Sequence, residues 1–247
     1  MNPSGGLFWH LHAWRCQKLW TPTRADIAQW LESTPAHWRS DTDELLIVGA
    51  SAGWMLPSSW LQGFKRVTTI DLDPWAAPLF RRHHGAALGA CGTELHCHTQ
   101  DALTDLPQIL RSHPRSVVLL DNILGQLRFH HDSVNAACAQ IANITRSLHG
   151  RRWGSVHDAF SGRTQRLVHG HRLPAMHRCV QPTARPANDA VARPVDLGHF
   201  SQALRAEGEW LDHLTEQVFP PQTPVHHIAW PYSRRYCHWL QAGWVAA

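Results

Sequence analysis

Leu46-Ile47-Val48-Gly49-Ala50-Ser51-Ala52-Gly53 decides the fold. The apolar run that ends at Val48 lies between a charge at Glu44 and a glycine at position 49. Such a run suits a short strand buried on both faces, as in a parallel sheet. A turn of small residues follows, then a short helix over 54–62. Small side chains let the backbone approach a ligand, and a helix start favours polar or anionic groups. A dinucleotide fingerprint requires GxGxxG, but Ser51 and Trp54 occupy its third and sixth positions. The close helix–strand packing of that motif is lost, which argues against a nicotinamide-dependent oxidoreductase.

The same rhythm repeats downstream. Residues 66–70 read as a second strand ending at Asp71, 94–99 as a third, 116–120 as a fourth ending at Asp121, and 153–156 as a fifth ending near His157 and Asp158. Helices are expected over 74–84, over 103–111, and from an Asp132 cap to a Gly150 stop. This alternation predicts an α/β fold: a doubly wound, mostly parallel seven-stranded sheet with helices on both faces. Two tail strands, 211–219 and 236–241, joined by a proline-rich connection, supply the last strands, the final one antiparallel. Residues 1–40 read as a helical lead-in, with Thr23 and Asp26 as a capping box. Residues 41–247 form the main domain. A basic loop is inserted at about 161–195, with four prolines and six arginines, and Asp196 caps a helix after it.

Composition narrows the function classes. The chain has 247 residues, 43% hydrophobic and 17% charged, with a net charge of +4. That excludes bulk disorder and allows one sizeable core. No apolar run is long enough to span a membrane, and His10, His12 and Arg15 interrupt any signal-like start. The six cysteines form no CxxC and read as reduced thiols, so a cytoplasmic setting is expected. Twenty histidines are scattered along the chain. His96 and His98 share a strand face, but a structural zinc site needs four ligands and a catalytic one three, so no metal is expected.

The segment from Gly49 to Gly53 fits GxGxG with Ser51 in place of the middle glycine, and so resembles motif I of class I S-adenosylmethionine-dependent methyltransferases. The resemblance covers about residues 44–160 and extends to the antiparallel closing strand. It implies S-adenosylmethionine as cofactor, with Gly49, Ala50, Ser51 and Gly53 forming the turn. Asp71, 22 residues after Gly49, would accept the ribose hydroxyls, with Leu72 beside it. Asp101 and Ala102 would meet the adenine, and Asp101 also suits a helix cap. These features lie at carboxyl ends of predicted strands, where open α/β sheets bind ligands. The family often carries an acid two residues before the first glycine, where this chain has Ile47. Glu44 is too early in the strand to replace it simply.

The reacting groups of this fold come from the ends of strands four and five. Asp121 would hold the methionine end of the cofactor or take a proton from the acceptor. Asn122 would orient an amine through its side-chain carbonyl, and His157 is a candidate general base. The expected activity is methyl transfer to a small molecule or peptide. Two alternatives stay open: a non-catalytic relative that only binds, and an RNA methyltransferase relying on the arginines of 161–195. A nucleic-acid partner is not specifically indicated, because that loop lacks interleaved aromatics. The sequence leaves the oligomeric state unknown.

Overall fold

The computed structural model describes residues 6–167, 173–180 and 202–247. Strand β1 (Glu44–Val48) lies between β2 (Arg66–Asp71) and β4 (Val117–Asp121), parallel to both. Strand β3 (Glu94–Thr99) extends the parallel sheet beyond β2, and β5 (Trp153–Thr164) extends it beyond β4. Helix α4 (Ser58–Leu61) follows β1, α5 (Ala76–Ala90) follows β2, and α6 (Ala102–Ser112) follows β3. Helices α7 (Leu127–His130) and α8 (Val134–Ser147) connect β4 to β5.

The second half departs from expectation. The sheet has nine strands, not seven. Strand β9 (Tyr236–Val245) runs antiparallel along β5, β8 (Pro224–Ser233) antiparallel along β9, and the short β6 (His177–Val180) antiparallel along β8. Strand β7 (Ala206–Asp212) pairs with the far end of β5. The order is β3-β2-β1-β4-β5-β9-β8-β6. The expected strand over 211–219 is therefore corrected: β7 stops at Asp212, and Leu214 turns with a left-handed φ of 64°. The expected proline-rich connection holds the whole of β8. The expected loop begins too early, because Ser161 to Thr164 still belong to β5. Arg172, Arg185 and Arg193 of that loop, with the start of the helix after Asp196, lie outside the described residues, and β7 begins at Ala206, before the Gly208 stop expected of that helix.

Side-chain alternation sorts the sheet into two cores. Leu45, Ile47, Val67, Leu119, Val156 and Leu240 face one layer. It is built from α1 (Leu7–Cys16), α2 (Thr21–Glu32), α3 (Ala36–Asp41), α4 and α5. Leu46, Val48, Val118 and Leu120 face α6 and α8 on the other side. The early tryptophans fill the first layer: Trp30 stacks on Trp244 with ring centroids 4.9 Å apart, and Trp60 is fully buried. Thr23 is not a cap. It lies inside α2, and its hydroxyl donates to the Ala229 carbonyl at 2.7 Å, tying α2 to β8. Among the described residues no helix is long and apolar enough to cross a membrane.

Candidate functional site

The turn after β1 is held in backbone conformations that favour glycine. Gly49 has φ 78°, Ser51 φ 46° and Gly53 φ 65°. Glycine is required at position 49 on a second ground, since a Cβ there would meet the Asp121 carbonyl oxygen and Ile123 Cβ, both at 3.0 Å. Ser51 adopts its left-handed φ as a non-glycine residue, and its hydroxyl accepts from Trp9 Nε1 at 3.1 Å. The turn is thereby tied to α1.

Asp71, at the end of β2, braces this turn. Its Oδ2 accepts from the Ser51 amide at 2.7 Å and its Oδ1 from the Asp73 amide at 2.8 Å. Burial pushes the Asp71 carboxyl up, and these two hydrogen bonds partly oppose that rise. Asp73 anchors α1: its carboxylate accepts from the Gly6 amide at 2.6 Å and from His10 Nε2 at 3.1 Å. Trp54 Nε1 donates to His10 Nδ1 at 3.1 Å, which fixes the tautomer of that imidazole.

A narrow cleft of about 60 Å³ opens over the turn, lined by Gly49, Ser51, Asp121 and Asn122 and by Trp9 and Trp230. Asp121 ends β4 beside Gly49, because Val48 pairs with Leu120 in the parallel register. Among the described residues its carboxylate has no hydrogen-bond partner. Burial, reinforced by the nearby Asp71 charge, pushes it up to about 7. Leu72 does not line the cleft and is 64% exposed, and Ala102 is buried at the start of α6. Asp101 caps that helix, accepting from the Leu103 and Thr104 amides at 3.0 and 3.2 Å and from Thr104 Oγ1 at 2.9 Å. Slight burial works against ionisation there, yet these bonds hold the carboxyl below its usual range.

Two expected roles do not survive the geometry. His157 alternates with Val156 and Asp158 along β5, so it points to the opposite face of the sheet. It is fully buried, stacks on Phe219 at 5.2 Å, and exchanges a 2.8 Å hydrogen bond with Ser155 Oγ. Burial pushes it down to about 3, and it does not reach the cleft as a base. Asn122 lines the cleft, but its side-chain carbonyl accepts from the Asp158 amide at 3.0 Å, and its own amide donates to the Val156 carbonyl at 2.7 Å. With φ 51°, it is the corner that joins β4 to β5.

Sequence reasoning missed a neighbouring cluster. Asp158 is fully buried on the same face of β5 as Val156, one alternation further along. Its Oδ1 lies 2.9 Å from His238 Nδ1 of β9, and Gln126 Nε2 approaches Oδ2 at 3.4 Å. His213, in the turn after β7, donates from Nδ1 to the Gly125 carbonyl at 2.8 Å, and its Nε2 faces Ser161 Oγ at 2.8 Å. Burial works to raise the Asp158 carboxyl, but His238 beside it holds it below its usual range. Burial pushes His213 down. The three side chains come from segments remote in sequence, so no local spacing marks them; only Asp158, beside a predicted strand end, was in view.

No protein-family model and no curated protein matches the chain. Solved structures are similar to it at low identity. A magnesium protoporphyrin IX methyltransferase from Synechocystis, with bound S-adenosylhomocysteine, is 14% identical over 95% of this chain and 94% of that one, with a TM-score of 0.47. The N-methyltransferase NodS from Bradyrhizobium japonicum, also with S-adenosylhomocysteine, is 12% identical over 87% of this chain and 84% of that one, with a TM-score of 0.38. An O-methyltransferase family protein from Burkholderia thailandensis is 14% identical over 94% of this chain, with a TM-score of 0.42, and this chain spans 57% of its length. The sheet order, with parallel strands β1 to β5 and an antiparallel closing pair, is the doubly wound arrangement that the sequence predicts.

Proposed function

We propose that this chain binds S-adenosylmethionine at the carboxyl ends of β1, β2 and β4 and transfers its methyl group to an acceptor held near Asn122 and Trp230. One observation carries the reading: a left-handed Gly49-Ser51-Gly53 turn, Asp71 and a partnerless Asp121 converge at the carboxyl ends of adjacent parallel strands. The residues fit the cofactor. Each Asp71 oxygen accepts one backbone amide and keeps capacity for a ribose hydroxyl. Among the described residues Asp101 Oδ2 accepts from Thr104 Oγ1 alone, which leaves capacity for an adenine amino group, and Leu72, next to Asp71, offers an exposed apolar surface. Asp121 would hold the ammonium of the methionine end, in place of the acid that Ile47 does not provide.

When bound, the cofactor supplies an electrophilic methyl group on a sulfonium. The chain's residues orient that group and exclude water. Trp9 stacks on Tyr232 at 6.0 Å and meets Trp230 edge-on at 6.2 Å, so the walls are braced aromatic rings. Such faces attract a cation. This narrow aromatic cleft favours a small-molecule acceptor over a macromolecule.

Thermal-shift titration with S-adenosylhomocysteine, with NAD as control, tests the reading. Ligand at about 100 times its Kd stabilises by about 2.7 kcal/mol, which raises Tm by roughly 5–10 °C in a chain of this size. No rise, or an equal rise with NAD, overturns it. Binding with no transfer of labelled methyl to any acceptor in a metabolite extract would favour a non-catalytic binding module.

A further inference from the structure

We propose that Asp158, His213 and His238 form a binding site for one divalent transition-metal ion of the Zn²⁺ or Co²⁺ class, at the edge of the cleft. Their ligand atoms all lie within 4.8 Å of one another. Asp158 comes from β5, His213 from the turn after β7 and His238 from β9, so the tertiary fold alone assembles the set. Asp158 Oδ1 and His238 Nδ1 lie 2.9 Å apart as a hydrogen-bonded pair, within about half an ångström of the roughly 3.4 Å that separates tetrahedral ligands with bonds of about 2.1 Å.

The surroundings match a ligand set. The Gly125 carbonyl can only accept, so His213 carries its proton on Nδ1, and its Nε2 lone pair accepts from Ser161 Oγ at 2.8 Å, a hydroxyl that an entering ion would displace toward Tyr236 OH, 3.0 Å away. A ligating histidine is commonly oriented in this way, with its other ring N–H on a backbone carbonyl. Gly125 is needed for this approach: a Cβ there would come within 2.7 Å of Asp158 Cβ. Asp158 has no exposure; His238 Nδ1 pairs with it at 2.9 Å, and among the described residues no arginine or lysine does. Buried carboxylates are paired or coordinate metals. Thr215 Oγ1 and Asn122 hold the Asp158 backbone at its carbonyl and amide.

Two imidazoles with one carboxylate select a first-row transition ion over Mg²⁺ or Ca²⁺, which prefer all-oxygen sets. Three protein ligands leave at least one position open, as in catalytic sites. That position lies toward the cleft, because the His238 ring packs against the cleft wall Trp230 at 4.9 Å. An oxygen-bearing acceptor could fill it, its lone pair on the ion. That last step rests on the methyl-transfer reading, whereas the metal site does not.

Chelator-stripped protein titrated with CoCl₂ tests the site. The expected result is one equivalent bound, with visible d–d absorption, displaced by Zn²⁺ and unaffected by Mg²⁺. His238→Gln should weaken Co²⁺ binding at least about 100-fold. His96→Gln, at an exposed histidine, should leave it unchanged. X-ray absorption of the wild-type Co²⁺ form should show two imidazoles and oxygen, a result that does not depend on any variant folding. No stoichiometric uptake, affinity that survives His238→Gln, or sulfur ligation would overturn the proposal. The S-adenosylhomocysteine shift is read separately, so either reading can fail alone.

Discussion

Ser51 shows how far a single residue can depart from a pattern. Its φ of 46° would be costless for glycine, and a left-handed non-glycine costs about 1–2 kcal/mol. The hydrogen bond from Trp9 offsets about 1 kcal/mol of that. Ser51→Gly relieves the strain and loses the bond, so its stability should stay within about 1 kcal/mol of wild type. Ser51→Ala keeps the strain and loses the bond, and should be less stable than Ser51→Gly by about 1–2 kcal/mol in urea denaturation. Equal stabilities would mean that the turn is not strained. Asp121 gives a pH-dependent counterpart. Its carboxyl is raised from 3.8 to about 7 in the folded protein, so the folded state holds a proton that the unfolded state has released. The stability tied to this group is present below about pH 4 and is lost as pH rises through 7. Asp121→Asn cannot ionise, so it should gain stability over wild type on going from pH 5 to pH 8, by about 2–3 kcal/mol. A difference in Tm that stays flat across that range would refute the assignment. The turn residues and the acids Asp71 and Asp121 were legible because they abut strand ends. His213 and His238 were not, because their partners lie on antiparallel neighbours far away in sequence.

At the scale of elements, β1 and β4 were readable because parallel strands buried on both faces leave continuous apolar runs, whereas β3 lies exposed along most of its length and leaves none. Strand β8 was not, because Pro224 opens it and Pro231 sits within it at the register shift between Trp230 and Ser233. Proline is tolerated at such places and erases the strand signal. The far half of β5 was hidden for a similar reason: it is buried on both faces and slips register against β9 between Asp158 and Phe160. The one-residue step from His157 to Asp158 then decided which side chain reached the cleft face. The link between β4 and β5 is tested by Gly125→Ala. Its Cβ would meet the Asp158 carbonyl oxygen at 3.0 Å and the amide nitrogen at 3.1 Å, and backbone cannot swing aside. A loss of about 2–3 kcal/mol in urea denaturation is expected. A neutral substitution would mean that the turn is looser than the structure shows.

Across the whole molecule, one sheet face carries two adjoining sets of groups. The first lies where β1, β2 and β4 end, around the Gly49–Gly53 turn. The second lies further along β5 and β9, where the longer strands project past the cleft floor of Val156 and Leu240. Helix α1 and the aromatic wall of Trp9, Trp230 and Tyr232 cover the first set. The parallel half of this plan follows from local apolar runs and strand-end acids. The antiparallel half follows from long-range pairing, which local patterning does not encode. The cofactor assignment is the claim on which the rest of the functional account stands. Isothermal titration of S-adenosylhomocysteine into wild type and Asp71→Asn tests it most directly, with far-UV circular dichroism to verify that the variant is folded. The expected result is one site per chain, with affinity reduced roughly 10- to 100-fold in the variant, the worth of a hydrogen bond to a charged acceptor. No heat in wild type, or the same affinity in a folded Asp71→Asn, would contradict it.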